Sequence, residues 1–465
     1  MDILLTHGYF LCRDPIEQQI MKPYPPLGLL YVSSHLKSRG FNVKVLDTTF
    51  SSPQDFDRDL ENSRPSVVGI YANLMTRQNV LKAVSKAKHI GATVILGGPE
   101  PVNYPDQYLS RGTDIIVAGE GELTLEELIP HLSKYGTRRL HEVQGIVFRD
   151  DDGRIVTTPP RAQIDSLDEQ PFPDRNAVDM SRYLHTWRQH HGLTSVSLIT
   201  ARGCPYTCRW CSHSVYGFSH RRRTPENVAA ELQWLRERYD PDQVWYADDV
   251  FGINRRWLFR FAEVLKKHDL RIPFETISRE DRLNEAVIST LADMGCSRLW
   301  VGAESGSQSV LNAMDRRTNA RRMREVIGQL KAAGIRTGTF IMLGYDGERW
   351  KDIDDTVTHL KAALPDEVLA TLAYPIKGTP FYEQVADRVI PLKSWEQGSD
   401  RDFTVRGRGS RRFYDHARKW LLAEVGLARA QKCGSRDLGR MARIYATAKK
   451  HRMAMYLTRH QVENG

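Results

Sequence analysis

Three of the six cysteines in this 465-residue chain stand together in Ala201-Arg-Gly-Cys-Pro-Tyr-Thr-Cys-Arg-Trp-Cys-Ser-His213, at Cys204, Cys208 and Cys211. The spacing is Cys-x3-Cys-x2-Cys. Three thiolates this close can each take one iron of a [4Fe–4S] cube, which leaves the fourth iron without a protein ligand. Such an iron can chelate a small molecule and pass it an electron. Two other chemistries use the same residue types. A disulfide would leave one of the three cysteines over. His213 could complete a Cys3His zinc site, although zinc ligands usually come as two separated pairs. Cys12, Cys296 and Cys433 lie far off, with no spacing that ties them to the trio. Cys296, between a helix and a strand, reads as a packed free thiol, and nothing marks Cys12 as catalytic.

A cluster needs a scaffold that brings other groups to its open iron. The stretch 195–382 shows six strand–helix units in order, with strands predicted at Val196–Thr200, Gln243–Ala247, Phe274–Ser278, Arg298–Ala303, Thr337–Leu343 and Val368–Tyr374. Predicted helices between them include Thr224–Tyr239, with Pro225 at its start, Arg255–His268, and Ala320–Ala333, with Asn319 as N-cap and Gly334 closing it. Six consecutive units imply a parallel sheet curling into a partial (β/α)6 barrel, with active residues at the carboxyl ends of the strands. The cysteine stretch follows the first strand, where this geometry requires it. The later strands run into Asp248-Asp249, Ser278-Arg279, Glu304-Ser305-Gly306 and Gly344–Glu348. Converging on one barrel mouth, these ends make a site; singly, Asp248, Asp249 and Arg279 read equally well as rim salt bridges.

The first third also alternates strands and helices. Strands are predicted at residues 3–6, 41–47, 66–71, 93–98 and 114–119. Helices run from the Pro25-Pro26 pair to Ser38, over residues 77–90, and onward from Glu120. This pattern predicts a doubly wound, Rossmann-like parallel sheet, whose ligands sit at the carboxyl ends of the strands. Gly69, Gly97, Gly98 and Gly119 fall there. Residues 144–158 read as a β-hairpin with an Asp-Gly turn, followed by a proline-punctuated linker in which Trp187-Arg-Gln-His-His-Gly192 is taken as a surface loop. After Val389 two helices are expected, about Ser410–Gln431 and Asp437–Leu457. The second carries Met441, Ile444, Tyr445, Ala448, Met453 and Met455 among basic residues, a face for lipid or for packing on the barrel. The expected organisation is a Rossmann-like domain over 1–140, hairpin and linker over 141–190, the barrel over 191–390 and a basic helical region over 391–465.

The cysteine stretch resembles the cluster motif of the radical S-adenosylmethionine (SAM) superfamily. Cys204, Cys208 and Cys211 fall on the three family cysteines, Trp210 on the aromatic position before the last, and Arg202-Gly203 and Pro205 also fit. Tyr374–Phe381 resembles the family's last strand and turn. The first third resembles the cobalamin (B12)-binding domain that precedes the barrel in one large class, through Pro25-Pro26-Leu27-Gly28-Leu29, Val67–Ile70, Leu96-Gly-Gly-Pro99 and Gly119-Glu-Gly-Glu122. It lacks the Asp-x-His-x-x-Gly motif, so no cobalt-ligating histidine is expected from it; a fold kept without a corrinoid is the alternative. The resemblance covers roughly Ile3 to Val389. It implies a [4Fe–4S] cluster on the three cysteines, SAM on its open iron, and cobalamin against Gly97 and Gly98. It further implies Glu304 on the SAM ribose, Asp248 on the methionine amino group, Arg279 on its carboxylate, and the backbone around Trp210 near adenine.

Composition agrees with a globular enzyme: 41% hydrophobic and 26% charged residues. No apolar run approaches the ~18 residues of a membrane span, the start reads as a strand rather than a signal peptide, and cysteine usage suits a reducing compartment; a cytoplasmic protein is expected. Residues 401–465 carry sixteen Lys/Arg against five Asp/Glu, so the net charge of +9 resides in the tail. A basic tail can meet a membrane or other anionic surface, though a solvated helical face is the plainer reading. The implied activity is cleavage of SAM to a 5′-deoxyadenosyl radical and cobalamin-dependent methylation of an unactivated carbon, with an external one-electron reductant of flavodoxin or ferredoxin type. The alternatives are a radical ring rearrangement, cyclisation or C–C coupling without methyl transfer, and a non-catalytic iron–sulfur protein on nucleic acid, a partner not favoured here. A methylthiotransferase is disfavoured, because the first third holds no second cysteine trio.

Overall fold

The computed structural model describes residues 1–432, 434 and 437–463. Cys433 lies outside the described residues. The chain divides into two compact units: Met1–Pro205 with Ser212–Val244 and Lys393–Ser399, and Tyr206–Cys211 with Trp245–Leu392 and Asp400–Gly465.

The first unit is built on a seven-stranded sheet of β1 (Ile3–His7), β2 (Val43–Leu46), β3 (Val67–Tyr71), β4 (Thr93–Gly97), β5 (Ile115–Val117), β6 (Ile146–Arg149) and β7 (Ile155–Thr157), in the order β2-β1-β3-β4-β5-β6-β7. The first five pair in parallel. Side chains alternate across a strand, so Leu4, Val68, Ile70, Val94 and Leu96 enter one core while Ile3, Leu5, Val67, Ile95 and Ile115 enter another on the opposite face. Two buried faces account for the near-continuous apolar runs of these strands. The hairpin expected in the join is instead the antiparallel edge of this sheet, β6 on β5 and β7 on β6. Short β9 (Ala201–Arg202) and β10 (Arg221–Arg222) follow β8 (Ser195–Leu198).

Trp187–Gly192 is not a surface loop. Asp179 caps a helix over Met180–His191 by accepting from Arg182 N–H, and Gly192 closes it at φ +72°. Trp187 is buried and its indole N–H donates to Pro23 O (2.8 Å). The polar run Arg-Gln-His-His is the last turn of this helix, whose buried face is marked by Met180, Tyr183 and Trp187.

The second sheet has β8, β11 (Gln243–Tyr246), β12 (Phe274–Ser278), β13 (Cys296–Glu304), β14 (Arg336–Leu343) and β15 (Glu367–Leu372) in the order β15-β14-β13-β12-β11-β8. Strands β12 to β15 pair in parallel. This is the predicted succession, with strand ends shifted by one to two residues. The helices Pro225–Tyr239, Arg255–Lys267 and Ala320–Ala332 are capped by Thr224, Asn254 and Asn319. A small hairpin pairs β16 (Val389–Pro391) with β17 (Phe403–Val405). The tail forms the helices Arg411–Lys432 and Leu438–Thr458. The first buries Phe413, Tyr414, Trp420 and Leu421. The second buries Ala448 and Met455 and leaves Tyr445 and Met453 exposed.

Candidate active site

In the first unit a cavity of about 400 Å³ opens at the carboxyl ends of β3, β4 and β5. Its walls include Pro26, Leu27, Gly28, Gly69, Gly97 and Gly98, with Gly119–Glu122 and Arg202 also reaching it. The two glycines singled out in the sequence differ in kind. A Cβ at Gly97 would meet nothing, so that position leaves room for a ligand. Gly98 adopts φ +106°, and a Cβ there would stand 2.3 Å from Ala72 O, so the backbone itself demands glycine. No histidine lines the cavity among the described residues, in line with the missing Asp-x-His-x-x-Gly motif. A largely apolar wall over a glycine floor fits a flat macrocycle such as the corrin ring.

Beside this cavity lies a buried ion network that sequence reading missed. Arg202 donates to Glu120 (2.6 Å) and to Glu122 (2.6 Å), and Arg221 donates to Glu120 (2.7 Å). Tyr31 lies under the Arg202 guanidinium at 5.2 Å. The Gly-Glu-Gly-Glu segment and the arginine two residues before Cys204 are therefore one structure. In the sequence the two stand far apart, and only their opposite charges hint at the pairing. Gly203 follows at φ +85°, where a Cβ would stand 2.4 Å from Ser219 O.

In the second unit the arm Tyr206–Cys211 is pinned from several sides. Arg209 N–H donates to Met314 O (3.1 Å), Phe381 N–H donates to Arg209 O (2.9 Å), and Cys211 N–H closes a turn on Cys208 O (3.2 Å). Trp210 packs against the apolar group of Val310, Met314, Tyr345 and Phe381. Cys208 is buried, and Cys204 and Cys211 are partly exposed.

Arg279, at the end of β12, stands against this arm. Its Nη1 is 3.8 Å from Cys208 Sγ, its Nη2 donates to Arg316 O (3.0 Å), its Nε donates to Asp281 (3.0 Å), and its guanidinium covers the Tyr206 ring at 3.8 Å. Burial pushes the Cys208 thiol up and the Arg279 charge pulls it down. Glu304 ends β13 at φ +59°, after a register break between Gly302 and Glu304. A Cβ on Gly302 would stand 2.5 Å from Glu304 Oε1, so glycine there makes room for this carboxyl. Burial and the charge of Glu280 push Glu304 to about 8 against the pull of Arg279, and burial pushes Glu280 to about 7. Arg316 donates to Gly302 O (2.9 Å) and stands 3.9 Å from Glu280. Cys208, Arg279 and Glu304 thus act on one another, and Asp248 is buried just beyond β11.

Closely spaced thiols on a pinned arm, with a cation against the buried one, suit an anionic iron–sulfur cube. Among the described residues no three Cys, His, Asp or Glu side chains gather around one metal position. His213 Nδ1 is hydrogen bonded to Gly217 O (3.1 Å). Cys296 is buried and Cys12 is exposed.

Known proteins agree with this division of labour. The profile of the radical SAM superfamily matches residues 198–360, and that of the B12 binding domain matches residues 19–129. An uncharacterized methyltransferase of Pyrococcus horikoshii is 28% identical over 385 residues, 80% of this chain and 81% of that protein. The anaerobic magnesium-protoporphyrin IX monomethyl ester cyclase of Rubrivivax gelatinosus is 24% identical over 80% of this chain and 68% of its own length. The structure of the radical SAM methyltransferase TsrM from Kitasatospora setae, with cobalamin and a [4Fe–4S] cluster bound, superimposes with a TM-score of 0.70 at 19% identity, over 83% of this chain and 77% of that one. These matches set aside the non-catalytic reading: the chain carries a radical SAM domain and a B12-binding domain, the make-up of a cobalamin-dependent radical SAM enzyme.

Proposed function

We propose that this enzyme methylates an unactivated carbon. When bound, the cluster and cobalamin supply reductive cleavage of SAM to a 5′-deoxyadenosyl radical and transfer of a methyl group to the substrate radical. Cys204, Cys208 and Cys211 hold the cluster. Arg279 lends its charge to the cluster arm, since three of its N–H groups are engaged there, on Asp281 and on Arg316. Glu304 and Asp248 bind the ribose hydroxyls and the amino group of SAM. Gly97 and Gly98 seat the corrin, and Arg202, through Glu120 and Glu122, sets the cavity wall beside it. The surrounding apolar residues exclude water from a reactive radical. The observation that carries this reading is the Arg279–Cys208 contact on the pinned arm. An external one-electron donor of flavodoxin or ferredoxin type reduces the cluster.

The relationship to a cyclase supports one other reading, radical ring closure without methyl transfer. Protein reconstituted anaerobically with iron, sulfide and hydroxocobalamin, given SAM and reductant, decides between them. About four irons, bound cobalt and 5′-deoxyadenosine support the methylating enzyme. Iron and deoxyadenosine without cobalt retain the radical chemistry and discard methyl transfer. Zinc in place of iron, with SAM intact, sinks both. No helix among the described residues is long and apolar enough to cross a membrane.

A further inference from the structure

A second cavity, of about 900 Å³, lies in the second unit between the loop after β14 and the two tail helices. Its floor and sides are aromatic: Trp350, Phe413, Tyr414 and Tyr456. The Trp350 ring stands 6.1 Å from Phe413 and 6.5 Å from Tyr456. Its rim is basic. Arg349, Lys449 and Arg459 line it, and among the described residues none of the three has a carboxylate within ion-pairing distance. Arg452 also reaches it, 3.4 Å from Asp354.

One carboxyl faces this space, Glu348. Gly344 N–H donates to its Oε2, and its Oε1 is buried with no hydrogen-bond partner. Burial pushes this carboxyl to about 8, so near neutral pH it is mostly a neutral donor, not a charge that would repel an anion. The cavity also shares its loop with the cluster arm. Tyr345 packs in the apolar group that holds Trp210, and Asp346 accepts from Gln384 (3.3 Å), whose amide oxygen accepts from Arg209 (3.2 Å).

We propose that this cavity binds a small organic anion with a flat apolar body, and that the enzyme's substrate belongs to that class. Aromatic walls bury the body, and the cations at the rim, with Arg459 held over the Tyr456 ring at 3.4 Å and Lys449 over that of Tyr445 at 5.2 Å, take a carboxylate, sulfonate or phosphate. The volume suits one ligand of ordinary size. The binding site stands without the methylation reading; its assignment to the substrate rests on that reading.

The test uses cluster- and cobalamin-loaded protein with 1-anilinonaphthalene-8-sulfonate as the probe and uncharged N-phenyl-1-naphthylamine as its comparator, both followed by anaerobic calorimetry. One sulfonate per chain is expected, with the comparator at least tenfold weaker. The double variant Arg349→Gln/Lys449→Gln, both positions being exposed, weakens the sulfonate at least tenfold and leaves the comparator unchanged. Tyr456→Ala, also exposed, weakens both. Equal affinity for the two probes, or unchanged sulfonate binding in the double variant, overturns the site. Deoxyadenosine formation by the wild-type preparation is read separately. Its absence beside the expected binding leaves the site and removes the substrate assignment; its presence without discrimination between probes removes the site alone.

Discussion

At the scale of single residues, the three cysteines stand out through their spacing, while Arg202 declares nothing until it is folded. Its guanidinium is 6% exposed and lies between two carboxylates that are equally hidden. Removing one member of such a buried set leaves a charge without compensation, at a cost of about 3–5 kcal/mol. Arg202→Leu is therefore expected to lower the thermal midpoint and reduce cobalt bound per chain, because Glu122 loses its arginine beside the cavity. Retention of full cobalt would show that the network is scaffold and not part of the corrinoid wall. Glu304 lies between these cases. Its strand-end position was legible, but its positive φ and the glycine two residues earlier that admits it were not.

At the scale of elements, the end of β13 shows how a strand is adapted to a site. The register break leaves Ala303 without a partner in the ladder and resumes the pairing at Glu304, opposite Ile341. Gly302→Ala would press on the far end of a flexible side chain rather than on backbone. Stability is expected to change little while the KM for SAM rises at least tenfold; an unchanged KM would remove Glu304 from the SAM site. The helix Trp350–Ala363 carries a different burden. His359 is buried, and burial with the charge of Arg324 holds it down to about 4. The unfolded chain protonates near 6.5 and the folded one does not, so this stability is present above pH 6.5 and is lost as pH falls toward 4. The shift corresponds to about 3 kcal/mol. Denaturant unfolding from pH 7 to 4.5 should show this loss in the wild type and much less of it in His359→Leu. The helix over Met180–His191 was missed although Met180, Tyr183 and Trp187 mark its buried face at helical spacing, because the reading rested on its polar last turn.

At the scale of the whole chain, the first unit is completed by a segment from far along the sequence. Residues 393–399 return to it, where Trp395 lies between the Arg77 and Arg111 guanidinium groups, at 4.8 and 5.2 Å, and edge-on to Tyr108 at 4.9 Å. Arg77, buried and paired with Glu100, also donates to Trp395 O (3.2 Å) and Gly398 O (3.3 Å). Trp395→Ala is expected to cost about 2–4 kcal/mol and to increase proteolysis around residues 77–111, although the substitution lies some 300 residues away in the chain. If cleavage increases only near residue 395, the segment is an appendage and not part of that fold.

The sequence by itself determined the strand–helix order of both sheets and the close spacing of Cys204, Cys208 and Cys211 after the first strand of the second one. These follow from local rules: the period of apolar side chains, glycine and proline as punctuation, and the fixed spacing of thiolates. Only the tertiary structure decided that the 144–158 hairpin closes an edge of the first sheet, that Arg202 joins Gly119–Glu122, that Arg279 turns to Cys208, and that Trp395 returns to Arg77. Each is a contact between distant positions, set by which buried charge or ring lacks a partner once the sheets have formed, and no local pattern encodes it.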